Sequence, residues 1–447
     1  MCSEARWPGG TADQWLSFSR RAWRSWSPLR LLRRPVTWFG SRQSDQGGER
    51  DRFAGSALSP DGSRFLVAGT SGGRSSADFR TIAYDALTGT EVWEAIYDRG
   101  DHDHAVAIAV AADGSALYVT GASLGVDSGA DYATVAYETA TGSQLWEAVY
   151  QSRRADVPSC IAVTPDGSTV LVTGDSESRR SSADWVTVAY DATTGARLWK
   201  RSYKTPRVDR PQGCSATADG SALVVTGFTY NVISPRGVPD VVTISYSVAT
   251  GGELWRDRYD GRNGWDEGTD VAVGPDGVFV SGITNVGNNP DPLLLAYAPT
   301  GAMQWRRRFP SGGSWEYGTN LAVAPDGDSI YLTGEGGTMP TVAYDASSGA
   351  TRWARRVGQT LGWAEGEAIA IAPDSMTVYV AGWWFGEGDD GALTFALNAL
   401  TGETVWQDLS HSGSAWSVVA PPSGTTVLVS GDTYDDSLDY QTVAYEA

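Results

Sequence analysis

The feature that most constrains this chain is an internal repeat of about fifty residues. The segment IAVTPDGSTVLVTGDS (161–176) is followed by DWVTVAYDATTGARLWKRSY (184–203), and close versions recur along the sequence. A first turn, Pro-Asp-Gly or a variant, occurs eight times, at Asp61, Asp113, Asp166, Asp219, Asp276, Asp326, Asp374 and Ser423. A second turn ends in Thr-Gly or a relative, and a Trp follows its Gly by four residues. That gives Trp93, Trp146, Trp199, Trp255, Trp305, Trp353 and Trp406. Asp and Gly suit tight turns, because Asp accepts local backbone N–H bonds and Gly adopts left-handed dihedrals. The segments between turns are short, apolar or alternating, and none has helical periodicity. Each repeat therefore reads as four strands, a to d, and eight such units predict an all-β, eight-bladed β-propeller of four-stranded antiparallel blades.

The eighth repeat ends at YQTVAYEA (440–447), after strand c. Near the other end, PVTWFGSRQ (35–43) resembles QLWEAVYQS (144–152), with Trp38 in the place of the recurring Trp. Residues 36–40 are thus predicted to supply the missing strand d of the last blade. Pairing them with the last strand c removes an open junction from the ring. The propeller then spans 36–447, and residues 1–35, rich in Arg and Trp, read as a mobile basic extension without a legible signal peptide.

The formal net charge is −19, which disfavours phosphate backbones and anionic lipid, so nucleic acid is not an expected partner. No run of 18 apolar residues exists, and no transmembrane helix is expected. Cys2, Cys160 and Cys214 are scattered, and the latter two read as small buried apolar residues rather than a disulfide or metal site. Asp101-His102-Asp103-His104 lacks a second metal-ligating cluster, and Arg99-Gly100-Asp101 reads as a chance tripeptide.

The repeat resembles the pyrroloquinoline-quinone repeat, with its pattern A-x-D-x-x-T-G-x-x-x-W. Ala83, Asp85, Thr88-Gly89 and Trp93 fit it fully, as do Ala189, Asp191, Thr194-Gly195 and Trp199. Ala343, Asp345, Ser348-Gly349 and Trp353 fit with Ser for Thr, whereas Glu138, Ser247 and Asn398 replace the Asp elsewhere. The resemblance implies that the Trp residues dock between blades. The family holds quinoprotein dehydrogenases and non-enzymatic propellers. The enzymes usually carry a vicinal Cys pair, calcium ligands and long insertions; this chain has no Cys-Cys pair, no long insertion and no C-x-x-C-H motif, so the resemblance implies the non-catalytic branch. It also implies an extracytoplasmic location.

Both tight turns of every repeat must share one face of the ring, so the b–c and d–a loops share the other. Those loops are longer and more variable, which makes theirs the candidate functional face. Two sets of carboxylates fall there. One comprises Asp51, Asp103, Asp156, Asp209, Asp266, Glu316 and Glu365 near the start of strand a. The other precedes strand c: Asp78, Asp131, Asp184, Asp240, Asp291, Asp390 and Asp439. Carboxylates at strand entries accept backbone N–H groups, and the same groups could bind Ca²⁺ or a basic peptide. Aromatic residues collect on this face in the later blades, as Trp265, Trp315, Trp363, Trp416 and the Trp383-Trp384-Phe385 run.

The expected function is a non-catalytic scaffold binding a protein or a carbohydrate, with Trp265, Trp315, Trp363, Trp383, Trp384, Trp416, Asp266, Glu316 and Glu365 as ligand-binding residues. No catalytic residue is assigned, no cofactor is expected, Ca²⁺ stays open, and the chain is expected to be a monomer. The alternatives are a quinone- or calcium-dependent oxidoreductase, or an enzyme acting on glycans or lactones through the open-face carboxylates.

Overall fold

A computed structural model describes residues 37–40 and 51–447, apart from 73–76, 101, 126–128, 153, 178–182, 231–236, 262–263, 286–289, 310–315, 338, 359–360, 387–389, 411–412, 425 and 434–438. Residues 37–40, 316–319 and 439 are described by backbone alone. The extension expected at 1–35 lies outside the described residues.

The chain forms eight four-stranded antiparallel sheets, each paired in the order a-b-c-d. Strands a of neighbouring blades touch one another and form the inner wall of the ring. Strands b and c are covered on both faces by neighbouring blades. In blade 3, Thr169–Ser176 and Asp184–Asp191 are accordingly buried almost throughout. Strand d, Arg197–Tyr203, is outermost and largely exposed.

Local turn chemistry and blade packing meet in the repeat motif. The Asp191 carboxylate accepts the Thr194 N–H at 2.8 Å and the Thr194 hydroxyl at 2.7 Å. Gly195 then takes φ +70, which a side chain would strain. The ring of Trp146, from the preceding blade, lies against that glycine, so close that a Cβ would meet it at 2.7 Å. The Trp146 indole N–H donates to Ala192 O at 2.8 Å. Trp93, Trp199, Trp305 and Trp353 repeat this bond to the next blade. In the first turn of blade 3 the Asp166 carboxylate likewise accepts the Ser168 N–H and Gly167 takes φ +69; blade 7 places Ser375 where the other blades have Gly, and Ser375 holds φ 59.

The ring closes as expected: Thr37–Gly40 pairs antiparallel with strand c of blade 8, Asp439–Glu446. Its register corrects one detail. In blade 3 the residue opposite Ala189 is Trp199, whereas in blade 8 the residue opposite the equivalent Ala444 is Thr37, and Trp38 lies opposite Val443. In blade 3 a register shift next to the c–d turn sets the alignment. The last blade has no such turn, since its strands c and d come from opposite ends of the chain.

The cysteine expectation is also corrected. Cys160 and Cys214 form a disulfide with their Cα atoms 5.9 Å apart. They lie on strands a of blades 3 and 4, Asp156–Val163 and Asp209–Ala216. Only the ring packing of those inner strands brings the two residues together.

Candidate functional site

Antiparallel pairing puts the b–c and d–a loops of every blade on one face, as the turn pattern requires. Most carboxylates of that face hold the architecture. Asp103 accepts the Arg99 N–H at 2.7 Å, Asp156 the Ser152 N–H at 2.5 Å and Asp209 the Thr205 N–H at 2.5 Å. Each of the three is fully buried and ties down its own d–a loop. The other set forms ion pairs with basic residues near the end of strand d. These are Asp131 with Arg99 at 3.1 Å, Asp184 with Lys204 at 2.7 Å, Asp240 with Arg258, and Asp291 with Arg308 at 3.4 Å.

Two expected site residues leave the candidate surface for this reason or a related one. Asp266 is fully buried and accepts the Gly261 N–H at 2.6 Å. Burial pushes its pKa up to about 6. Trp384 is only 8% exposed and packs in the core beside Met339, Ala364 and Leu393. Strand b of blade 7 continues through Phe385, so successive residues alternate between faces and Trp384 turns inward. Trp315 lies outside the described residues, and Glu316 is placed only as the first residue of strand a of blade 6.

The remaining Trp residues share one device. Trp363 donates its indole N–H to Glu365 at 2.5 Å, Trp383 to Glu367 at 3.2 Å, and Trp416 to Asp432 at 2.8 Å. Trp265 is hydrogen-bonded in the same way to Glu267. A carboxylate thus fixes each Trp ring. Trp363 is 42% exposed and Trp416 37%, Trp265 and Trp383 are half-buried, and Phe385, beside Trp363, is 60% exposed. Trp363 and Phe385 are direct cross-strand partners, and so are Glu365 and Trp383.

Between these rings Glu335, Glu365 and Glu367 converge, with one carboxylate oxygen from each within 4.8 Å of the others. Such a trio can hold a cation or a cationic group. Burial raises all three pKa values, and neighbouring carboxylates add to the rise at Glu335 and Glu367, which reach about 7. Two other acidic triples exist among the described residues, Asp78/Asp98/Asp103 and Asp240/Asp260/Asp266. In both, the strand-a Asp already caps its loop, and Arg258 sits on Asp240.

The Glu trio leads to a pH prediction. A carboxyl with a raised folded pKa keeps a proton that the unfolded chain releases. Stability therefore falls as pH rises from about 4.5 towards 7, and the loss is complete above that range. Glu335→Gln with Glu367→Gln should raise the denaturant midpoint at about pH 8 and leave it unchanged near pH 4. A shift of equal size at both pH values would refute the raised pKa values.

Sequence reasoning found Trp363, Glu365, Trp383 and Trp416 but missed Glu335, Glu367 and Asp432. Every strand a carries a bulge at one equivalent position, for example between Gly366 and Ala368 and between Ala415 and Ser417. Glu367 and Trp416 are the bulged residues of their strands. A bulge re-aims a side chain in a way that counting from the turn does not show.

The sequence profile described as "Outer membrane protein assembly factor BamB" matches residues 77–272 and 290–436, most of the ring. The chain belongs to this BamB family. No curated protein sequence matches it. Among solved structures, BamB from Moraxella catarrhalis is similar at 15% identity and TM-score 0.54, covering 93% of this chain and 98% of that one. Sqt1 from Chaetomium thermophilum, bound to the N-terminus of ribosomal protein L10, is similar at 14% identity and TM-score 0.64, covering 93% and 100%. The C-terminal WD40 domain of Sif2 reaches 12% identity and TM-score 0.57, covering 94% and 100%. At such identities these three structures share a fold with this chain, and function must be argued from the site. No helix among the described residues is long and apolar enough to cross a membrane.

Proposed function

We propose that this BamB-family propeller is a non-catalytic scaffold that binds a protein partner through its b–c and d–a loop face, at a basic segment of that partner. The observation that carries this reading is the pair of exposed Trp rings fixed by carboxylates, Trp363 and Trp416, with the half-buried Trp383 held in the same way beside Trp363. Rings already fixed lose little freedom on binding, and large aromatic side chains dominate interface energetics. The carboxylates beside them favour a Lys or Arg side chain, which the ring faces also attract. The carboxylates that recur from blade to blade cap loops or hold ion pairs, so they support no catalytic constellation.

The family description and the Sqt1 complex, a similar ring holding a protein N-terminus, support a protein ligand over a sugar. The disulfide supports work in an oxidising, extracytoplasmic compartment, as does the family description. In an array holding basic peptides, acidic peptides and glycans, the basic peptides should bind this face. Trp363→Ala should weaken that binding about tenfold or more while leaving the melting temperature within a few degrees. Glycans bound in place of basic peptides, or basic peptides bound equally by Trp363→Ala, would overturn the proposal.

A further inference from the structure

The outer strands differ in charge around the ring. In blades 3 to 6 they read RLWKRSY, ELWRDRY, MQWRRR and TRWARRV, with eleven Lys and Arg and two acidic residues. In blades 1, 2 and 7 they read EVWEAIY, QLWEAVY and TVWQDL, with four acidic residues and no basic one. Open strand edges need charge to resist aggregation, but either sign serves that end. A chain of net charge −19 uses carboxylates for it on three blades. The change of sign on the other four needs a separate cause.

Part of that cause is internal. Arg201, Arg307 and Arg355 donate to carbonyls in the c–d turn of the next blade, at 2.8, 2.6 and 2.7 Å, and so tie blades together. Blade 5 has basic side chains beyond this need: Arg306, and Arg308, which also pairs with Asp291 on strand c of its own blade at 3.4 Å. Arg306 and Arg308 are two apart on its outer strand, Met303–Arg308, and therefore share one face of it. Both are exposed. With Arg307, and with Tyr259 and Asp260 of the preceding blade, they line an open cleft of about 300 Å³ whose wall includes Leu293, so three guanidinium groups face one carboxylate there. The Arg306 guanidinium lies over the Tyr259 ring at 5.6 Å, which orders it before any ligand arrives.

From this geometry we infer that the outer edge of blade 5 is a docking edge for an extended acidic segment of a partner protein. Among the described residues the strand is paired on one side only, with strand c of its own blade. Its outward N–H and C=O groups can take up an added strand. Alternate residues of that strand would face Arg306 and Arg308, where carboxylates make favourable cross-strand pairs. The partner segment therefore carries Glu or Asp at every second position. This edge is separate from the Trp-bearing loop face.

The test uses the full-length protein and a short fluorescent peptide of alternating Glu and Val, read by anisotropy. The peptide should bind, and its Lys-Val counterpart should not bind this edge. Arg306→Glu should weaken binding about tenfold and Arg306→Ala severalfold. Methylating the peptide's edge-facing backbone nitrogens should also weaken it about tenfold, because the added-strand hydrogen bonds are lost. Trp363→Ala should leave it unchanged, which separates this edge from the loop face. The inference is overturned if the Glu-Val peptide fails to bind, or if a folded Arg306→Ala and Arg306→Glu bind it as the parent does. Equal affinity for the methylated peptide overturns it as well. So does Arg306-dependent binding to phosphatidylglycerol vesicles without peptide binding, or Arg306-dependent self-association seen in sedimentation.

Discussion

Replacing Trp146 with Ala is expected to lower the stability of the ring by about 3–5 kcal/mol, the range for deleting a large buried aromatic side chain. The Trp146 ring is 8% exposed and lies between Tyr118 of its own blade and Tyr190 of the next, with centroids at 5.7 and 6.4 Å. Its removal also leaves Ala192 O without the indole N–H. Gly195→Ala should act on the same contact from the other side. It places a methyl against the indole and adds a side chain at φ +70, so it should be destabilising as well. Guanidinium unfolding followed by circular dichroism would measure both. A loss under 1 kcal/mol for Trp146→Ala would mean that this junction does not hold blades 2 and 3 together.

The second large effect concerns the disulfide. Cys160 and Cys214 close a loop of 54 residues, and the loop-entropy relation assigns such a closure about 4 kcal/mol. Replacing both residues with Ser should lower the unfolding midpoint accordingly. Reducing the parent protein should bring it to the same midpoint as the variant. Identical midpoints with and without reductant would show that the bond does not form in solution. Because the bond joins inner strands of two blades, its loss should not remove any ring contact to the Trp residues of blades 5 to 8.

The fold was legible because its signals are local. An Asp that captures a Thr N–H, a Gly at positive φ and a Trp four residues later each leave a mark on the sequence, and the mark recurs with the blade. Ring closure was legible for the same reason, as a missing strand at one end and a matching one at the other. What was hidden needs the ring itself. Cys160 meets Cys214 only because strands a adjoin, and Thr37 takes the place expected of Trp38 because no turn sets that register. A central residue of the candidate site was hidden by a bulge. Trp363 and Glu365 stand out in the sequence, but Glu367 faces Glu335 only once the bulge has turned it. Trp384 shows the converse error, since the strand runs on through Phe385, where a loop is expected from Trp383, and turns the Trp384 side chain into the core.

Binding through the loop face is the claim on which the functional account rests, and site-specific photo-crosslinking in the source cells tests it most directly. A photoreactive phenylalanine analogue at Phe385 probes the loop face, and the same analogue at Leu400, which is 77% exposed on a c–d turn, probes the opposite face. The account predicts a discrete protein adduct from position 385 that Trp363→Ala abolishes, and none from position 400. Adducts from position 400 alone, or from neither position, would contradict it.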